Sequence, residues 1–317
     1  MSEEPSVLVL SAAPKPYLEA LHRRFPSLAV SVCGSYEALP AALDSTRPRA
    51  VLASKLGSGG FPRELLLGAT SIEWIQCDSA GVDHLLPIPG ATLVSSASGV
   101  HDEALSDYVI GHVLAANLHF RRFLEQQRER VWQPHPLVPA AGQKLVVLGY
   151  GSIGRRTAAK ARGLGMDVVG VRRHPDPPER SVVGLDGLAS AVAEADFLVV
   201  TLPRTPKTLG LVSAEVLSSM KRGAVLINIS RGGIVDESAL ARELADGPLA
   251  SAVMDVFATE PLPVDSALWS LDNLVVTPHT GDVLGWQEKI AALFCDNLAR
   301  FLGGEKPENL VSSEHGY

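Results

Sequence analysis

The sequence predicts an α/β protein with two domains, each built on a parallel sheet. Its 317 residues suffice for about two domains. Short apolar runs alternate with amphipathic or turn-bounded segments along most of the chain, which is the pattern of repeated strand–helix units. The composition is 46% hydrophobic and 20% charged, with 28 glycines and 22 prolines. It excludes disordered and collagen-like classes and is typical of a globular protein with many turns.

The first hundred residues form the first predicted α/β unit. A helix is expected over Pro16–Phe25, between two β-rich runs. The predicted strands of this unit are Ser6–Leu10, Leu28–Val32, Ala50–Ala53, Ile72–Cys77 and Thr92–Ser95.

A long connecting helix is predicted from Asp102, a suitable N-cap residue. Its apolar residues recur at three- and four-residue steps and predict one buried stripe made of Leu105, Val109, Val113, Ala116 and Phe120. The segment Val131–Ala141 contains three prolines and cannot continue the helix. We expect it to carry the chain across a surface to the second unit.

The second unit is a longer series of six predicted strands, with helices that include Ser213–Met220 and Asp236–Leu244. The strands are Lys144–Leu148, Asp167–Val171, Asp196–Leu202, Ala224–Ile229, Leu249–Val256 and Leu274–Thr277. A last helical run, Gln287–Leu302, is expected to return to the first unit. The predicted domains are therefore residues 1–98 plus 284–317, and residues 99–283.

Charge and cysteine content narrow the possible partners. The 28 Lys and Arg against 35 Asp and Glu give a net charge of −7, so a nucleic-acid partner is not expected. The N-terminus is acidic and every apolar run is of strand length, so neither a secretion signal nor a membrane partner is expected. Three scattered cysteines predict no disulfide framework and no metal site, and fit a cytoplasmic location.

The segment Gly149-Tyr-Gly-Ser-Ile-Gly154 reads G-x-G-x-x-G between an apolar strand and a helix. Gly149 suits a tight turn, and Gly151 allows a pyrophosphate to approach the backbone closely. Gly154 allows the helix to pack closely on the strand. The helix N-terminus supplies amides and a dipole to the anion. Because strand, glycines, helix and second strand follow in order, the sequence predicts a Rossmann-like, dinucleotide-binding second unit.

The second strand of this fingerprint usually ends in an acidic residue that binds the ribose hydroxyls. Here the strand ends in Arg172-Arg173-His174. Arginine forms charge-assisted hydrogen bonds with a 2′-phosphate, so NADP(H) is favoured over NAD(H). The alternative is that the two arginines merely solvate a surface loop.

Three ionisable residues follow three consecutive predicted strands of the second unit: Arg231, Glu260 and His279. The carboxyl ends of parallel strands share one edge, where such sheets bind ligands. Each residue alone also fits a structural role, as a surface arginine, an acid before proline or a core histidine. Together they predict a site for ketone reduction, with His279 as proton donor, Glu260 fixing its tautomer and Arg231 binding a 2-oxo acid.

These motifs resemble those of the D-isomer-specific 2-hydroxyacid dehydrogenases over nearly the whole chain. The resemblance is carried by Ser79–His84, Gly149–Gly154, Leu202–Thr208, Ile227–Asp236, Asp255–Pro261 and Thr277–His279. It implies a catalytic triad of Arg231, Glu260 and His279, and a substrate carboxylate held partly near Ala80 and Gly81. It also implies nucleotide contacts from Tyr150, Gly151, Ser152, Ile153, Leu202, Pro203, Thr208, Ile229, Ser230, Arg231, Asp255 and His279, beside Arg172 and Arg173.

The resemblance further implies a flavodoxin-like substrate domain, an active site in the cleft between the two domains, and a homodimer. The arginine at the end of the second strand is similar to that of NADPH-preferring glyoxylate and hydroxypyruvate reductases. We therefore expect reduction of a small 2-oxo acid to the D-2-hydroxy acid. Two alternatives stay open: a nucleotide-sensing, corepressor-like binding protein with the same fold, and an NAD-dependent dehydrogenase of another D-2-hydroxy acid.

Overall fold

The computed structural model describes residues 6–57, 60–88, 90–173, 181–281, 284–312 and 316. The chain divides into two compact units, Met1–His101 with Asp282–Tyr317, and Asp102–Gly281. These limits lie within three residues of the predicted ones.

The first unit contains a five-stranded, fully parallel sheet in the order β2-β1-β3-β4-β5. All five predicted strands are present, with ends that differ by at most two residues. They are β1 (Ser6–Leu10), β2 (Ala29–Cys33), β3 (Ala50–Ala53), β4 (Trp74–Cys77) and β5 (Leu93–Ser95). The helices that follow β1, β2 and β3 are α1 (Lys15–Arg24), α2 (Leu39–Thr46) and α3 (Arg63–Gly68).

Both faces of this sheet are covered. One face packs against α2 and α3, and the other packs against α1 and the C-terminal helix Trp286–Leu302. Trp74 is fully buried on the second face, where its ring stacks on Phe294 with centroids 5.3 Å apart. Its indole N–H donates to the Ser95 hydroxyl at 3.1 Å, so the one polar atom of the ring is satisfied. The C-terminal helix therefore belongs to the first unit.

The prediction of one long connecting helix is wrong. The structure has two helices in this part of the chain, α4 (Asp102–Asn117) and α5 (Phe120–Glu129). They are separated at His119, whose backbone is left-handed with φ +53°. The carbonyl of Asn117 accepts a hydrogen bond from the Val138 N–H at 3.1 Å and so leaves the helical ladder. Phe120 is 54% exposed and does not belong to the buried stripe.

The second unit contains a seven-stranded parallel sheet in the order β12-β11-β10-β9-β6-β7-β8. Its strands are β6 (Lys144–Leu148), β7 (Asp167–Val171), β8 (Val182–Val183), β9 (Phe197–Val200), β10 (Val225–Asn228), β11 (Ser251–Met254) and β12 (Leu274–Val276). Its remaining helices are α6 (Ser152–Gly163), α7 (Leu188–Ala193), α8 (Ala214–Ser218) and α9 (Glu237–Ala245). The C-terminal helix of the first unit, Trp286–Leu302, is α10. The prediction of six strands missed β8, which pairs two residues with β7 and is too short to show a period.

The strand order reverses between β6 and β9. In open parallel sheets, ligands bind outside the carboxyl ends of the strands at such a reversal. The loops that follow β6, β7, β9, β10, β11 and β12 are therefore where the second unit positions functional side chains. No helix in the described part of the chain is both long and apolar enough to span a bilayer.

Candidate active site

The turn from β6 into α6 has the geometry of a phosphate cradle. Gly149 adopts φ +103°, and a Cβ there would lie 2.7 Å from the carbonyl carbon of Thr201. A Cβ on Gly154 would lie 2.4 Å from the Gly149 carbonyl oxygen. Both glycines are therefore required by the backbone itself, as the fingerprint predicts.

Gly151 differs from the other two glycines, because a Cβ there would meet no atom within 4 Å. The space that this Cβ would fill lies at the N-terminus of α6, where the first amides of a helix have no intrahelical partner. The Gly151 N–H donates to the Gly149 carbonyl at 2.9 Å, and the helical ladder begins with the Arg155 N–H, which donates to the Gly151 carbonyl at 2.9 Å. Free amides, the helix dipole and the open space at Gly151 fit the pyrophosphate of a dinucleotide.

Two predicted nucleotide contacts have protein partners at this turn. The ring of Tyr150 is buried against Gly170, and its hydroxyl accepts a hydrogen bond from Arg162 at 3.1 Å. The Ser152 hydroxyl donates to the carboxylate of Asp102. Ile153 lies in the first turn of α6 and packs partly against the core.

Arg172 and Arg173 directly follow β7 and are partly exposed. The Arg172 N–H donates to the Val183 carbonyl at 3.1 Å, which fixes the start of the loop. His174 lies outside the described residues. Asp167 opens β7 at the opposite end and pairs loosely with Lys144 at 3.9 Å, so it does not replace the missing ribose-binding acid.

The loop after β9 contains three more predicted contacts, Leu202, Pro203 and Thr208. The Thr208 hydroxyl donates to the Pro203 carbonyl at 2.6 Å and accepts from the Thr205 N–H at 2.8 Å. Thr208 is buried, and these two hydrogen bonds stabilise the conformation of the loop. At the base of the same loop, the Thr201 hydroxyl donates to the Gly149 carbonyl at 2.6 Å, which ties it to the cradle.

Arg231 follows β10 after Ile229 and Ser230, which are both buried. The carboxamide oxygen of Asn228, the last residue of β10, accepts hydrogen bonds from the Ser230 N–H and hydroxyl. The Arg231 guanidinium donates to the Ser230 carbonyl at 2.9 Å. The backbone here is thus fixed just before the guanidinium that we predicted to bind substrate.

Gly232 was missed by the sequence argument, although it determines where Arg231 lies. A Cβ on Gly232 would lie 1.8 Å from the Phe257 carbonyl oxygen and 2.7 Å from the Ala258 nitrogen. The loop after β10 therefore touches the backbone of the loop after β11, which carries Glu260. The consecutive glycines after Arg231 were the available signal.

Glu260 and His279 are brought together from the loops after β11 and β12. One carboxylate oxygen of Glu260 lies 2.8 Å from Nδ1 of His279, and the other accepts from the Phe257 N–H at 2.9 Å. An ionised carboxylate only accepts, so Nδ1 carries the proton in this contact. The side chains of His279 and Glu260 are 42% and 34% exposed, so the pair is accessible to a ligand.

Asp255 is 2% exposed and holds the loop that contains His279. Its Oδ1 accepts hydrogen bonds from the Thr277 hydroxyl at 2.6 Å, the Thr280 N–H at 2.9 Å and the Thr280 hydroxyl at 3.0 Å. Its carbonyl accepts from the His279 N–H at 2.9 Å. Asp255, predicted as a nucleotide contact, is thus a centre of protein hydrogen bonds in this structure.

Ala80 and Gly81 lie in the first unit, in the loop after β4. The Ser79 hydroxyl donates to the Gly81 carbonyl at 2.7 Å and closes the turn. Within the described residues, the amides of Ala80 and Gly81 donate to no protein acceptor. Two such amides are suitable donors for a carboxylate.

No group of three His, Cys, Asp or Glu side chains that could hold a metal is found among the described residues. The second unit instead combines a cradle for a dinucleotide with an imidazole that holds a proton at the same sheet edge. This combination defines a nicotinamide-dependent oxidoreductase, because hydride transfer to a carbonyl requires a proton for its oxygen.

Comparison with known proteins gives the family. A family model described as D-isomer specific 2-hydroxyacid dehydrogenase, NAD binding domain, matches residues 110–281. A glyoxylate/hydroxypyruvate reductase B from Pectobacterium atrosepticum is 34% identical over 82% of this chain and 85% of its own length. A glyoxylate reductase from Korarchaeum cryptofilum is 34% identical over 70% of this chain and 69% of its own length.

Solved structures agree with this comparison. A D-isomer specific 2-hydroxyacid dehydrogenase from Xanthobacter autotrophicus, in complex with NADPH and MES, has a TM-score of 0.86 and 30% identity. The alignment covers 99% of this chain and 100% of that one. An NADPH-dependent glyoxylate/hydroxypyruvate reductase from Sinorhizobium meliloti, in complex with NADP and sulfate, has a TM-score of 0.85, 25% identity and coverage of 99% and 100%.

The chain belongs to the D-isomer specific 2-hydroxyacid dehydrogenase family. It is therefore an NAD(P)-dependent oxidoreductase that acts on CH–OH groups. The two-domain parallel α/β fold predicted from the sequence is confirmed.

Proposed function

We propose that the protein reduces a small 2-oxo acid, such as glyoxylate or hydroxypyruvate, to the D-2-hydroxy acid, with NADPH as the preferred cofactor. The observation that carries the proposal is the 2.8 Å contact between His279 and Glu260 at the ligand-binding edge of a dinucleotide-binding unit. The names of relatives that the chain matches at 34% identity support the choice of substrate.

His279 acts as proton donor in this proposal. Glu260 accepts from Nδ1, which leaves Nε2 to donate to the substrate oxygen. The carboxylate also stabilises the imidazolium that must exist before the transfer. The first amides of α6, beside Gly151, would hold the pyrophosphate of a bound nicotinamide dinucleotide, and that cofactor would supply the hydride. In the direction of oxidation, the same nitrogen accepts the proton.

Arg231 binds the carboxylate of the 2-oxo acid and polarises the adjacent carbonyl. A guanidinium is suited to this task because its planar fork matches a carboxylate and stays charged. Small acids are favoured because the proposed contacts address only the carboxylate and the neighbouring carbonyl.

The test is cofactor oxidation over a panel of glyoxylate, hydroxypyruvate, pyruvate, 2-oxoisocaproate and phenylpyruvate, with NADPH and NADH. We expect glyoxylate or hydroxypyruvate to be reduced fastest, and His279→Ala to abolish turnover while nucleotide still binds. If nucleotide bound tightly and no 2-oxo acid were reduced, the nucleotide-sensing alternative would replace the reductase.

The preference for NADPH rests on Arg172 and Arg173 at the end of β7. Removing both guanidinium groups should lower kcat/KM for NADPH by about 10- to 100-fold, since a hydrogen bond to a charged group contributes about 1.5–3 kcal/mol. The value for NADH should change little. Arg222→Ala is the matched control, because Arg222 precedes β10 at the opposite edge of the sheet. An unchanged ratio of the two cofactors in the double variant would contradict the preference.

We propose that the protein forms a homodimer through α5 and the segment after it. This segment lines a groove of about 690 Å³ and carries six large apolar side chains that are exposed, a feature typical of interaction surfaces. They are Phe120, Leu124, Val131, Trp132, Leu137 and Val138. Sedimentation velocity should give twice the 33.6 kDa of one chain, and Trp132→Asp with Leu124→Asp should give the monomer. A monomeric wild type would contradict the proposal.

A further inference from the structure

The loop that carries His279 is held in a conformation that its own sequence does not favour. His279 has φ +53°, in the left-handed region that non-glycine residues seldom adopt. Such a backbone persists only where the surroundings impose it. The direction of the imidazole therefore depends on the groups that hold residues 277–280.

Three hydrogen bonds from these residues converge on one oxygen atom, Oδ1 of Asp255. Oδ1 of Asp255 accepts hydrogen bonds from the Thr277 hydroxyl and from both the N–H and the hydroxyl of Thr280, at 2.6–3.0 Å. These residues stand two positions before and one position after His279. The His279 N–H also donates to the carbonyls of Asp255 and Thr277, at 2.9 and 3.1 Å. Asp255 thus clamps the loop from both sides of the histidine.

A residue from α4 completes the clamp. The hydroxyl of Tyr108 lies 2.7 Å from the Thr277 hydroxyl oxygen, although the two residues are 169 positions apart in the chain. The Thr280 N–H can only donate, so Oδ1 of Asp255 is an acceptor, and the Thr277 hydroxyl must donate its single proton to it. Tyr108 is therefore the donor to Thr277. The direction of the hydrogen-bond chain is Tyr108 to Thr277 to Asp255.

Tyr108 is suited to remain a donor. Burial, together with the charge of Asp255, raises the pKa of Tyr108, so its hydroxyl stays protonated near neutral pH. The ring of His112, one turn further along α4, meets the Tyr108 ring edge-on with centroids 4.5 Å apart. Burial lowers the pKa of His112, so this neighbour stays uncharged near neutrality and adds no positive charge beside the tyrosine.

We propose that Tyr108 and Thr277 are positioning residues for His279: their hydroxyl chain to Asp255 fixes the loop so that the imidazole meets Glu260. The proposal rests on the role of His279 as proton donor in the proposed function. Neither hydroxyl needs to touch substrate. Their effect is on the fraction of molecules in which Nδ1 of His279 is held by the carboxylate.

The experiment compares Tyr108→Phe and Thr277→Val with Thr277→Ser, which keeps the hydroxyl. We expect the first two to lower kcat about five- to tenfold, as for the loss of one hydrogen bond in Tyr108→Phe and two in Thr277→Val, with KM changed less than about twofold. Thr277→Ser should stay near wild type. The Tyr108→Phe/Thr277→Val double variant should be no worse than Thr277→Val, because both changes break one chain.

Tyr36→Phe is the matched control. The Tyr36 hydroxyl is also partly buried and accepts from the Leu56 N–H at 2.7 Å, but it lies in the first unit. We expect it to leave kcat and its pH profile unchanged. If Tyr108→Phe behaved like this control, or lowered the melting temperature without lowering kcat, the positioning role would be refuted.

A second readout does not require turnover. With ¹⁵N-labelled histidine, the ring nitrogens of His279, assigned by their loss in His279→Ala, report which nitrogen carries the proton. Tyr108→Phe should reduce the Nδ1-protonated form, and unchanged shifts would overturn the proposal. If the wild type reduced no 2-oxo acid while these shifts still moved, the proposed function would fail and the clamp on His279 would stand.

Discussion

Gly232→Ala tests whether the two loops that carry Arg231 and Glu260 depend on a direct backbone contact. The added Cβ would lie 1.8 Å from the Phe257 carbonyl oxygen and 2.2 Å from its carbonyl carbon. Non-bonded heavy atoms in ordinary contact are about 3.5 Å apart, so one backbone must retreat by roughly 1.5 Å. The obstructing atoms are backbone, which no side-chain rotation can relieve.

Overpacking of this kind costs about 1–3 kcal/mol, and we expect the upper end here because three backbone atoms lie within 2.7 Å. The lower chain entropy of alanine in the unfolded state offsets about 0.4–1 kcal/mol of that loss. In the molecules that still fold, Arg231 moves away from Glu260. A shift of about 1 Å in a positioned group can lower kcat about 100-fold.

Urea unfolding followed by the fluorescence of the four tryptophans measures the first effect, and steady-state reduction of a 2-oxo acid measures the second. Gly111→Ala is the control, because Gly111 lies within α4 and a Cβ there meets no atom within 4 Å. It should stabilise the protein by about 0.5–1 kcal/mol. The reasoning is refuted if Gly232→Ala keeps the unfolding midpoint and kcat of the wild type.

Three further predictions concern charge and burial. Glu260→Gln should lower kcat about tenfold, at the low end for a hydrogen bond to a charged group, because Glu260 and His279 are both a third or more exposed. Glu237→Gln is its control, because the Glu237 carboxylate accepts from the Ala258 N–H at 2.6 Å, and its kcat should stay within about twofold of the wild type. Equal losses of kcat in both variants would contradict the role of the Glu260–His279 pair. All three cysteines are buried free thiols, so Ellman's reagent should label none in the native protein at pH 8 and three in urea; rapid native labelling would contradict their burial. Burial lowers the pKa of His112, so the unfolded chain binds a proton at this residue before the folded chain does as pH falls below about 6.5. The urea concentration at the unfolding midpoint should therefore fall toward pH 5, and it should fall less in His112→Gln. Parallel pH profiles of the midpoint in the two proteins would argue against that burial.

Strands were predicted well where an apolar run is bounded by charge or glycine. The bounds of β6 and β7 were predicted to the residue, because Lys144 and Asp167 open the runs and a turn or loop closes them. The two-residue β8 could not be predicted, because only its pairing with β7 in the folded sheet identifies it as a strand. The break between α4 and α5 was missed because it depends on Val138, twenty-one residues beyond Asn117, capturing a helical carbonyl.

The site divides in the same way. The order of Arg231, Glu260 and His279 after successive strands was enough to predict a shared edge, because parallel strands align their carboxyl ends. The pairing of His279 with Glu260 followed from chemistry that the residue types already carry. The contact of Gly232 with Phe257, and the chain from Tyr108 to Asp255, join distant segments whose separation leaves no periodic trace.

The amino-acid sequence by itself determined the fold class, the dinucleotide cradle and the membership in a dehydrogenase family, because periodicity, glycine spacing and motif order are local properties of a chain. The tertiary structure alone decided which atoms hold His279 in a left-handed backbone and how closely the Arg231 loop approaches the loop of Glu260. Both depend on contacts between segments that are separated in the sequence. They are fixed by packing and hydrogen-bond geometry that exist only once the sheet has formed.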